Sequence, residues 1–321
     1  MPVRYLLVFS ILAILSLIYY RLAKSFNIVD NPNARSSHQV PTIRGGGILF
    51  PISIVLWWFL MDFQNSLMVL GLVLISAVSF WDDIRGMSRR LRILAQLIAI
   101  LLLFADSGVF VELPIWAFPI LLVLTIGILN AVNFMDGING ITGLYALVFL
   151  GTVFLLDRVF PSIKESMVLY LGIAVFVFLY YNLRNGKALM FAGDIGSVSL
   201  AYMMVYFMLK MFLQTGNWTV VILLFVYGAD SIGTLVQRIK KKENIFEPHR
   251  KHLYQIMANQ MALPHIVVAF IFAGTQCLIN YLFVLKEKSF PQTLLMLGLI
   301  FFVAAIYLFG KIKLQKKFMI D

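Results

Sequence analysis

Long apolar runs alternate with short polar segments along almost the whole chain. Eleven such runs occur, at residues 5–20, 46–61, 66–80, 93–105, 115–135, 140–156, 166–183, 196–213, 217–236, 264–285 and 292–310. A helix needs about 20 predominantly apolar residues to cross the hydrocarbon core of a bilayer. The pattern therefore predicts an all-α, polytopic integral membrane protein with about eleven transmembrane helices, in a single domain over residues 1–321.

The composition excludes other classes of protein. Hydrophobic residues make up 61% of the chain and charged residues 13%, whereas a soluble domain is about 45–50% apolar and about 25% charged. An ordinary soluble globule and a disordered chain are both excluded. The single cysteine, Cys277, excludes a disulfide framework and a cysteine-rich metal site.

The net charge of +11 is distributed unevenly between the two sides of the predicted bundle. With eleven spans and the N-terminus outside, 20 of the 26 Lys and Arg residues fall on the inner side, as the positive-inside rule expects. If the shortest run, 93–105, does not cross the membrane, 13 of the basic residues fall on each side. We therefore predict eleven crossings with the C-terminus in the cytoplasm, and the basic residues require no nucleic-acid partner.

This topology brings the polar clusters to one face of the membrane. The predicted cytoplasmic catalytic loops cover residues 21–46, 81–92, 133–141, 183–196 and 237–264. A secondary transporter is the alternative from another class, but it would place polar groups near the membrane midplane between repeated halves. The chain shows no such internal repeat, so the pattern favours one site at the inner membrane surface.

Two acidic clusters follow predicted spans. Asp82 and Asp83 are adjacent on a helical segment, where their side chains point about 100° apart and are expected to perform different tasks. Asn130, Asn133 and Asp136 recur every three residues and lie along one helical stripe, followed by flexible glycines. The alternatives are a solvated acidic pair and ordinary interfacial polar residues.

Three further segments carry groups that suit phosphate. Asp194 stands between glycines at a predicted helix start, where capping alone is the alternative. His249, Arg250 and His252 form a basic cluster whose cations disfavour zinc and favour a polyanion such as diphosphate. Thr42 and Arg44 precede three glycines in a polar, basic segment.

Asp230 lies inside the ninth apolar run. An intramembrane carboxylate is a functional candidate by default. The alternative is an ion pair with Arg238, two helical turns further along the chain. An intramembrane aspartyl protease using Asp194 and Asp230 is disfavoured, because the segment before Asp194 reads A-G-D and not G-x-G-D.

Together these motifs resemble a known family. In order they read P-N-x-R-S-S-H, P-T-x-R-G-G-G, D-D, N-x-x-N-x-x-D-G, F-x-G-D-x-G-S and P-H-R-K-H-x-Y-Q, over about residues 30–260. They are similar to those of the polyprenyl-phosphate N-acetylhexosaminyl-1-phosphate transferases of glycosyltransferase family 4, in the branch that initiates O-antigen and enterobacterial common antigen. Asn139 replaces an aspartate usual in that family, and Ala192 replaces a methionine.

The resemblance implies a reaction and a location. A sugar-1-phosphate would pass from a UDP-N-acetylhexosamine, or a deoxy derivative, to undecaprenyl phosphate, with release of UMP and a requirement for Mg²⁺ or Mn²⁺. The enzyme would lie in the bacterial inner membrane with its active site facing the cytoplasm. A monomer and a homodimer both remain open, as do the identity of the sugar and the polysaccharide pathway.

The resemblance also implies residue roles. Asp194 would ligate the metal, and Asp82 would be the candidate base or nucleophile, with Asp83 beside it near the metal or the lipid phosphate. The remaining roles are nucleotide binding by Asn130, Asn133 and Asp136, diphosphate binding by His249, Arg250 and His252, and contact with the lipid phosphate by Thr42 and Arg44. A phosphate monoester is already mostly dianionic at neutral pH. We therefore favour direct attack by the lipid phosphate over a two-step route through an aspartyl-phosphate intermediate.

Overall fold

The computed structural model describes residues 2–32, 37–158, 163–244, 249–282 and 290–318. Within these ranges the chain is almost entirely helical. The α-helices are α1 (Pro2–Ser25), α2 (Leu49–Leu60), α3 (Ser66–Arg85), α4 (Arg89–Ser107), α5 (Val109–Glu112), α6 (Ala117–Met135), α7 (Ile141–Asp157), α8 (Glu165–Asn182), α9 (Gly193–Thr215), α10 (Phe225–Lys240), α11 (Leu253–Gln255), α12 (His265–Asn280) and α13 (Phe290–Lys317). Two 3₁₀ segments, Gly46–Ile48 and Trp218–Leu224, lead into α2 and α10, and a π-helical turn, Ile256–Gln260, follows α11.

The helices coincide with the predicted apolar runs, and the chain is an all-α, multi-pass membrane protein. Five helical segments in the described part are long and apolar enough to cross a membrane, namely Val3–Ser25, Ser66–Arg85, Ala117–Met135, Gly193–Thr215 and Trp218–Lys240. Four shorter apolar helices accompany them. The number of crossings and their orientation stay predictions.

The shortest apolar run, 93–105, lies within a longer helix. Helix α4 begins at Arg89, so the basic residues before the run form its first turn. Ser88 caps the helix by accepting a hydrogen bond from the backbone N–H of Leu91 at 3.4 Å. Gly108, in the left-handed region at φ 97°, ends the helix. Arginine is a good helix former, so the charged residues before the run extend the helix to 19 residues.

Helix α9 forms the centre of the bundle. In its most apolar window 89% of the residues are buried, against 22% for α1 and for α6. It packs against α2, α3 and α6. A helix that is apolar on all sides belongs in a core, whereas the outward faces of peripheral helices meet lipid. From Ile195 onward most of α9 is buried among other elements, whereas its first two residues, Gly193 and Asp194, are only partly buried.

A glycine-rich segment packs directly against this end of α9. A two-strand antiparallel hairpin, β1 (Val29–Asp30) with β2 (Thr42–Ile43), leads into it. The backbone N–H groups of Gly46 and Gly47 then donate to the carbonyl oxygens of Phe191 and Ala192 at 2.8 and 3.0 Å. A Cβ atom at Gly47 would overlap the backbone of Gly196 in α9. This close backbone approach explains the glycines.

Candidate functional site

Asp83, at the end of α3, caps the first turn of α9. Its carboxylate accepts hydrogen bonds from the backbone N–H groups of Asp194 at 3.0 Å and Ile195 at 3.1 Å. The first N–H groups of a helix lack partners within the helix, and an anion is favourable there. The side chain of Asp83 is 0% exposed and also pairs with Arg44 Nε at 2.7 Å. These contacts engage both of its oxygens, so its evident task in this structure is to position α9.

Asp194 is the partly open carboxylate of the cluster, with 28% of its side chain exposed. Its Oδ1 atom accepts from Arg44 Nη2 and from Asn133 Nδ2, each at 3.2 Å. Asn133 also donates to the hydroxyl of Ser197 at 2.9 Å. Three of the predicted site residues, from the glycine-rich segment, α6 and α9, therefore meet at one point.

Asp136 immediately follows α6 and lies in the same cavity as Asp194. Thr142 Oγ1 donates to its Oδ1 atom at 2.6 Å. Burial raises the pKa of the Asp136 carboxyl to about 6, the Thr142 hydrogen bond opposes this rise, and the neighbouring Asp194 carboxylate adds to it. This cavity therefore holds a carboxyl group whose ionisation is costly.

Two spaces border the meeting point, and a third adjoins one of them. The central cavity, of about 160 Å³, is lined by polar groups that include Arg44, Asn133, Asp136, Asp194 and Gln255. The loop cavity, of about 380 Å³, adjoins it through shared lining residues and includes Thr42, Asn139, Lys187 and His265. The α4 crevice, of about 20 Å³, is lined by Asp82, Arg92, Gln96, Asn130, Asn133 and Asp194. Asn133 and Asp194 line both the central cavity and the α4 crevice, so these two side chains form a wall shared by the two spaces.

Asp82 points away from Asp83, in accord with the helical geometry. Its Oδ2 atom pairs with Arg92 Nη1 at 2.7 Å, and its Oδ1 atom accepts from the backbone N–H of Met87. Asn130 lies across the α4 crevice and donates to the carbonyl oxygen of Ile126 at 2.8 Å. Asp82 therefore belongs to the α4 crevice, on the other side of Asp194 from the central cavity.

Thr42 lies apart from this group. Its hydroxyl donates to the carbonyl oxygen of Val40 at 3.1 Å, and the residue is 3% exposed within the hairpin. It lines the loop cavity, whereas Arg44, two residues on, reaches Asp83 and Asp194. The predicted contact of Thr42 and Arg44 with a lipid phosphate stays a prediction, and the structure separates the two side chains.

The loop containing His249, Arg250 and His252 packs beside the central cavity. The rings of His249 and His252 lie 4.9 Å apart. Burial and the neighbouring positive charges lower the pKa of His249 to about 3, so this histidine is neutral at physiological pH. Within the described part of the loop, Gln255 is the residue that lines the central cavity. The predicted diphosphate contacts of the two histidines and of Arg250 stay predictions.

Three lining residues were given no role from the sequence. Arg92, in the predicted loop 81–92, pairs with Asp82. Phe191 and His38 have ring centroids 4.8 Å apart, and both line the central and loop cavities. Phe191 begins the motif F-x-G-D and His38 ends the motif P-N-x-R-S-S-H, so these motifs were the available signal.

Asn139, the departure from the family pattern, has a structural task. It is 2% exposed, and its Nδ2 atom donates to the carbonyl oxygens of Arg184 at 3.0 Å and Gly186 at 2.7 Å. An aspartate has no N–H group and cannot make either bond when ionised. The asparagine therefore holds the 184–186 turn, which forms a wall of the loop cavity.

The cluster at Asp194 fits a magnesium ion bound together with a substrate. In the part of the chain that the structure describes, no group of three or more His, Cys, Asp or Glu side chains could hold a metal ion. Magnesium is commonly held by one or two carboxylates together with substrate phosphates, and it does not need a complete protein cage. Asp194 provides one partly exposed carboxylate, and Asp136 lies in the same cavity.

Residues 65–212 of the chain match the model of glycosyl transferase family 4. This match agrees with the family resemblance that the motifs indicated. The matched residues contain Asp82, Asp83, Asn133, Asp136 and Asp194, whereas Arg44 and the 249–255 loop lie outside them.

Similar curated proteins belong to two kinds of transferase. The chain is 24% identical over 267 residues to a probable undecaprenyl-phosphate N-acetylglucosaminyl 1-phosphate transferase of Bacillus subtilis, an alignment covering 75% of this chain and 72% of that protein. It is 25% identical over 270 residues to the undecaprenyl-phosphate alpha-N-acetylglucosaminyl 1-phosphate transferase of Yersinia pestis, covering 74% and 71%. It is also 27% identical over 213 residues to a phospho-N-acetylmuramoyl-pentapeptide-transferase of Thermotoga maritima, covering 54% and 69%.

Proposed function

We propose that this chain transfers an N-acetylhexosamine-1-phosphate, or a deoxy derivative, from a UDP-sugar to undecaprenyl phosphate. The products are UMP and undecaprenyl-diphospho-sugar, the starting unit of a cell-surface polysaccharide. The observation that carries the proposal is the meeting of Arg44, Asn133 and Asp194 at the wall shared by the central cavity and the α4 crevice. The relatives, named as undecaprenyl-phosphate N-acetylglucosaminyl 1-phosphate transferases, support it.

The donor diphosphate suits the central cavity. Arg44 supplies a guanidinium group, and Asn133 an amide, beside the carboxylates of Asp194 and Asp136. Arginine binds phosphate through several N–H donors. Mg²⁺ or Mn²⁺, held by Asp194, would neutralise charge on the diphosphate and on the departing UMP. The adjoining loop cavity gives the rest of a nucleotide sugar room beyond the central cavity.

We assign the lipid phosphate to the α4 crevice, whose volume of about 20 Å³ would have to widen to admit it. Arg92 provides the positive charge there and would exchange its partner Asp82 for the phosphate. The exposed apolar residues Leu91, Leu94 and Ile98 of α4 point away from the crevice, toward the surface that meets lipid in a multi-pass protein. Asn133 and Asp194, which line both spaces, mark where acceptor and donor would meet.

We favour direct transfer. An oxygen of the lipid phosphate forms a bond to the sugar-bearing phosphorus while the bond from that phosphorus to the UMP oxygen breaks. The acceptor phosphate is mostly dianionic at neutral pH, so little proton removal is needed. Asp82 pairs with Arg92, and Asp83 pairs with Arg44 and the start of α9. These engaged carboxylates are better suited to holding cations and backbone in place than to forming a covalent intermediate.

The proposed orientation places this site at the cytoplasmic surface of a bacterial inner membrane, where soluble UDP-sugars are available. The positive-inside rule supports it, since 20 of 26 basic residues fall on that side in the eleven-span arrangement. Tagging each terminus and testing its accessibility in intact cells would examine it. A C-terminal tag labelled from outside the cell would contradict the orientation.

The activity test uses purified protein, undecaprenyl phosphate, Mg²⁺ and a panel of UDP-N-acetylhexosamines and deoxy derivatives. We expect release of UMP and formation of a lipid-linked sugar with at least one donor. Asp194→Asn should abolish metal-dependent turnover, whereas Glu112→Gln, at an exposed carboxylate, should retain it. Solute uptake into sealed vesicles without any lipid product would favour the transporter alternative. Retained activity of Asp194→Asn at ordinary Mg²⁺ concentration would refute the role given to Asp194.

A further inference from the structure

A buried ion pair joins α10 to the C-terminal helix α13. Lys311 Nζ lies 2.6 Å from Asp230 Oδ1, and both side chains are 0% exposed. Lys311 also donates to the hydroxyl of Thr234. The sequence suggested Arg238 as the partner of Asp230, but Arg238 pairs with Glu243 at 3.2 Å. Asp230 is thus neutralised by a residue 81 positions away, on a helix beyond the residues matched by the family profile.

Asp230 also binds the loop beside the central cavity. The backbone N–H of Leu253 donates to Asp230 Oδ1 at 3.2 Å and to Oδ2 at 3.0 Å, and His252 Nδ1 lies 3.4 Å from Oδ2. A hydrogen bond from a backbone N–H to a carboxylate is stronger than one between neutral groups. The ion pair therefore holds the loop at the first residue of α11.

From that point the loop reaches the central cavity in two residues. Tyr254 donates from its hydroxyl to the carbonyl oxygen of Phe134 at 2.9 Å, so it packs on the end of α6 that carries Asn133 and Asp136. Gln255 lines the central cavity, and its Oε1 atom accepts from the backbone N–H of His252 at 3.2 Å. A shift of the loop at Leu253 would move Gln255 within the cavity.

We propose that Asp230 and Lys311 are positioning residues for the 249–255 loop, and that α13 thereby contributes to binding of the UDP-sugar. This inference rests on the proposed function. Lys311 supplies the fully buried cation beside the Asp230 carboxylate, and removing one partner of such a buried ion pair costs several kcal/mol. Asp230 is then able to hold Leu253 with both oxygens. The competing interpretation is that the ion pair only packs α10 against α13.

Two double variants separate these interpretations. Both remove the two charges, so neither leaves a lone buried ion. Asp230→Asn with Lys311→Met keeps a carbonyl oxygen that can accept from Leu253, whereas Asp230→Leu with Lys311→Met keeps none. A packing role would affect both variants alike. The positioning role requires the acceptor at residue 230, so only the leucine variant should release the loop.

The readouts are donor KM, lipid KM, turnover number and amide hydrogen exchange of peptides covering 249–260. We expect the leucine variant to raise the donor KM about fivefold relative to the asparagine variant, the effect of losing one hydrogen bond between neutral groups. Its lipid KM should change less than about twofold, which is well below the effect of one such bond. Its loop amides should exchange faster. Equal donor KM values and equal exchange in the two variants would overturn the proposal.

A second pair keeps the test informative if the leucine variant does not fold. Leu253→Pro removes the donating N–H and leaves Asp230 and Lys311 untouched. Proline is favoured at the first position of a helix, and the extended backbone of His252, φ −69° and ψ 146°, accommodates it. Leu253→Val is the matched control because it keeps the N–H. An unchanged donor KM in Leu253→Pro would also overturn the proposal. Hydrogen exchange needs no turnover, so absence of UMP release from the parent protein would refute the proposed function separately.

Discussion

Asp136 offers a quantitative test of the electrostatics in the central cavity. Its carboxyl has a pKa of about 6, raised from 3.8 chiefly by burial. One pKa unit corresponds to about 1.4 kcal/mol, so a rise of roughly two units corresponds to about 3 kcal/mol of folding free energy. Asp136→Asn replaces it with a neutral group of similar shape whose Oδ1 atom still accepts from Thr142.

The raised pKa of Asp136 determines how the effect of the substitution on stability changes with pH. Below about pH 4 the carboxyl is protonated in both the folded and the unfolded state, and the favourable contribution of burying a neutral group is fully present. As the pH rises through 6 the folded protein must hold an ionised carboxylate, and that contribution is lost. The substitution should therefore stabilise the protein at pH 8 by up to about 3 kcal/mol and have little effect near pH 4.

The assay is thermal unfolding of detergent-purified parent and Asp136→Asn at pH 4.5 and pH 8. EDTA is included, because a bound cation would favour the ionised carboxylate. For a chain of this size 1 kcal/mol shifts Tm by about 2 °C, so Tm should rise by about 6 °C at pH 8 and by only about 2 °C at pH 4.5. Glu112→Gln, at an exposed carboxylate, is the control and should show no such pH dependence. An equal Tm difference at both pH values would refute the reasoning.

Three other predictions concern single contacts. Asn139→Asp restores the family residue but loses two hydrogen bonds to the carbonyl oxygens of Arg184 and Gly186, so Tm should fall by an amount equivalent to about 1–3 kcal/mol. An unchanged Tm would contradict the inference that Asn139 holds the 184–186 turn. Gly47→Ala forces a Cβ atom against the backbone of α9 and should lower the free energy of unfolding by about 1–3 kcal/mol, measured by thermal unfolding. Gly127→Ala, which has open space around it, is the control and should cause no such loss. Equal Tm values for the two variants would contradict the close approach of Gly47 to α9. Arg92→Ala should raise the KM for undecaprenyl phosphate about tenfold and leave the donor KM little changed. Arg90→Ala, at an exposed arginine, is the control. A selective rise in the donor KM would contradict this assignment and place Arg92 at the UDP-sugar.

Much of the fold could be predicted because hydrophobicity is a local signal. Each apolar run became a helix, and the short run 93–105 became part of a 19-residue helix once its preceding arginines were included. The hairpin of β1 and β2 was missed, since strands of two residues carry no detectable period. The 3₁₀ segment Trp218–Leu224 was missed because its apolar residues look the same in any helix type.

The candidate site was predictable as a set of segments but not as a set of contacts. Polar residues stand out in an apolar chain, so the motifs pointed to the segments that meet at α9. Which groups pair is decided by the bundle: Arg44 reaches Asp194 across 150 residues, and Asp83 caps α9 across 111. Asp230 shows the limit of local reasoning. The nearest cation in sequence, Arg238, was the natural candidate, but packing of α13 supplied Lys311 as the partner.

The central claim is transfer of a sugar together with its phosphate, and labelling that phosphate tests it most directly. The protein is incubated with Mg²⁺, undecaprenyl phosphate and UDP-N-acetylhexosamine that carries radioactive phosphorus at the β position. The account predicts that the label enters the lipid product and that the released nucleotide is unlabelled UMP. Label remaining in released UDP, with only the sugar moved to the lipid, would contradict it.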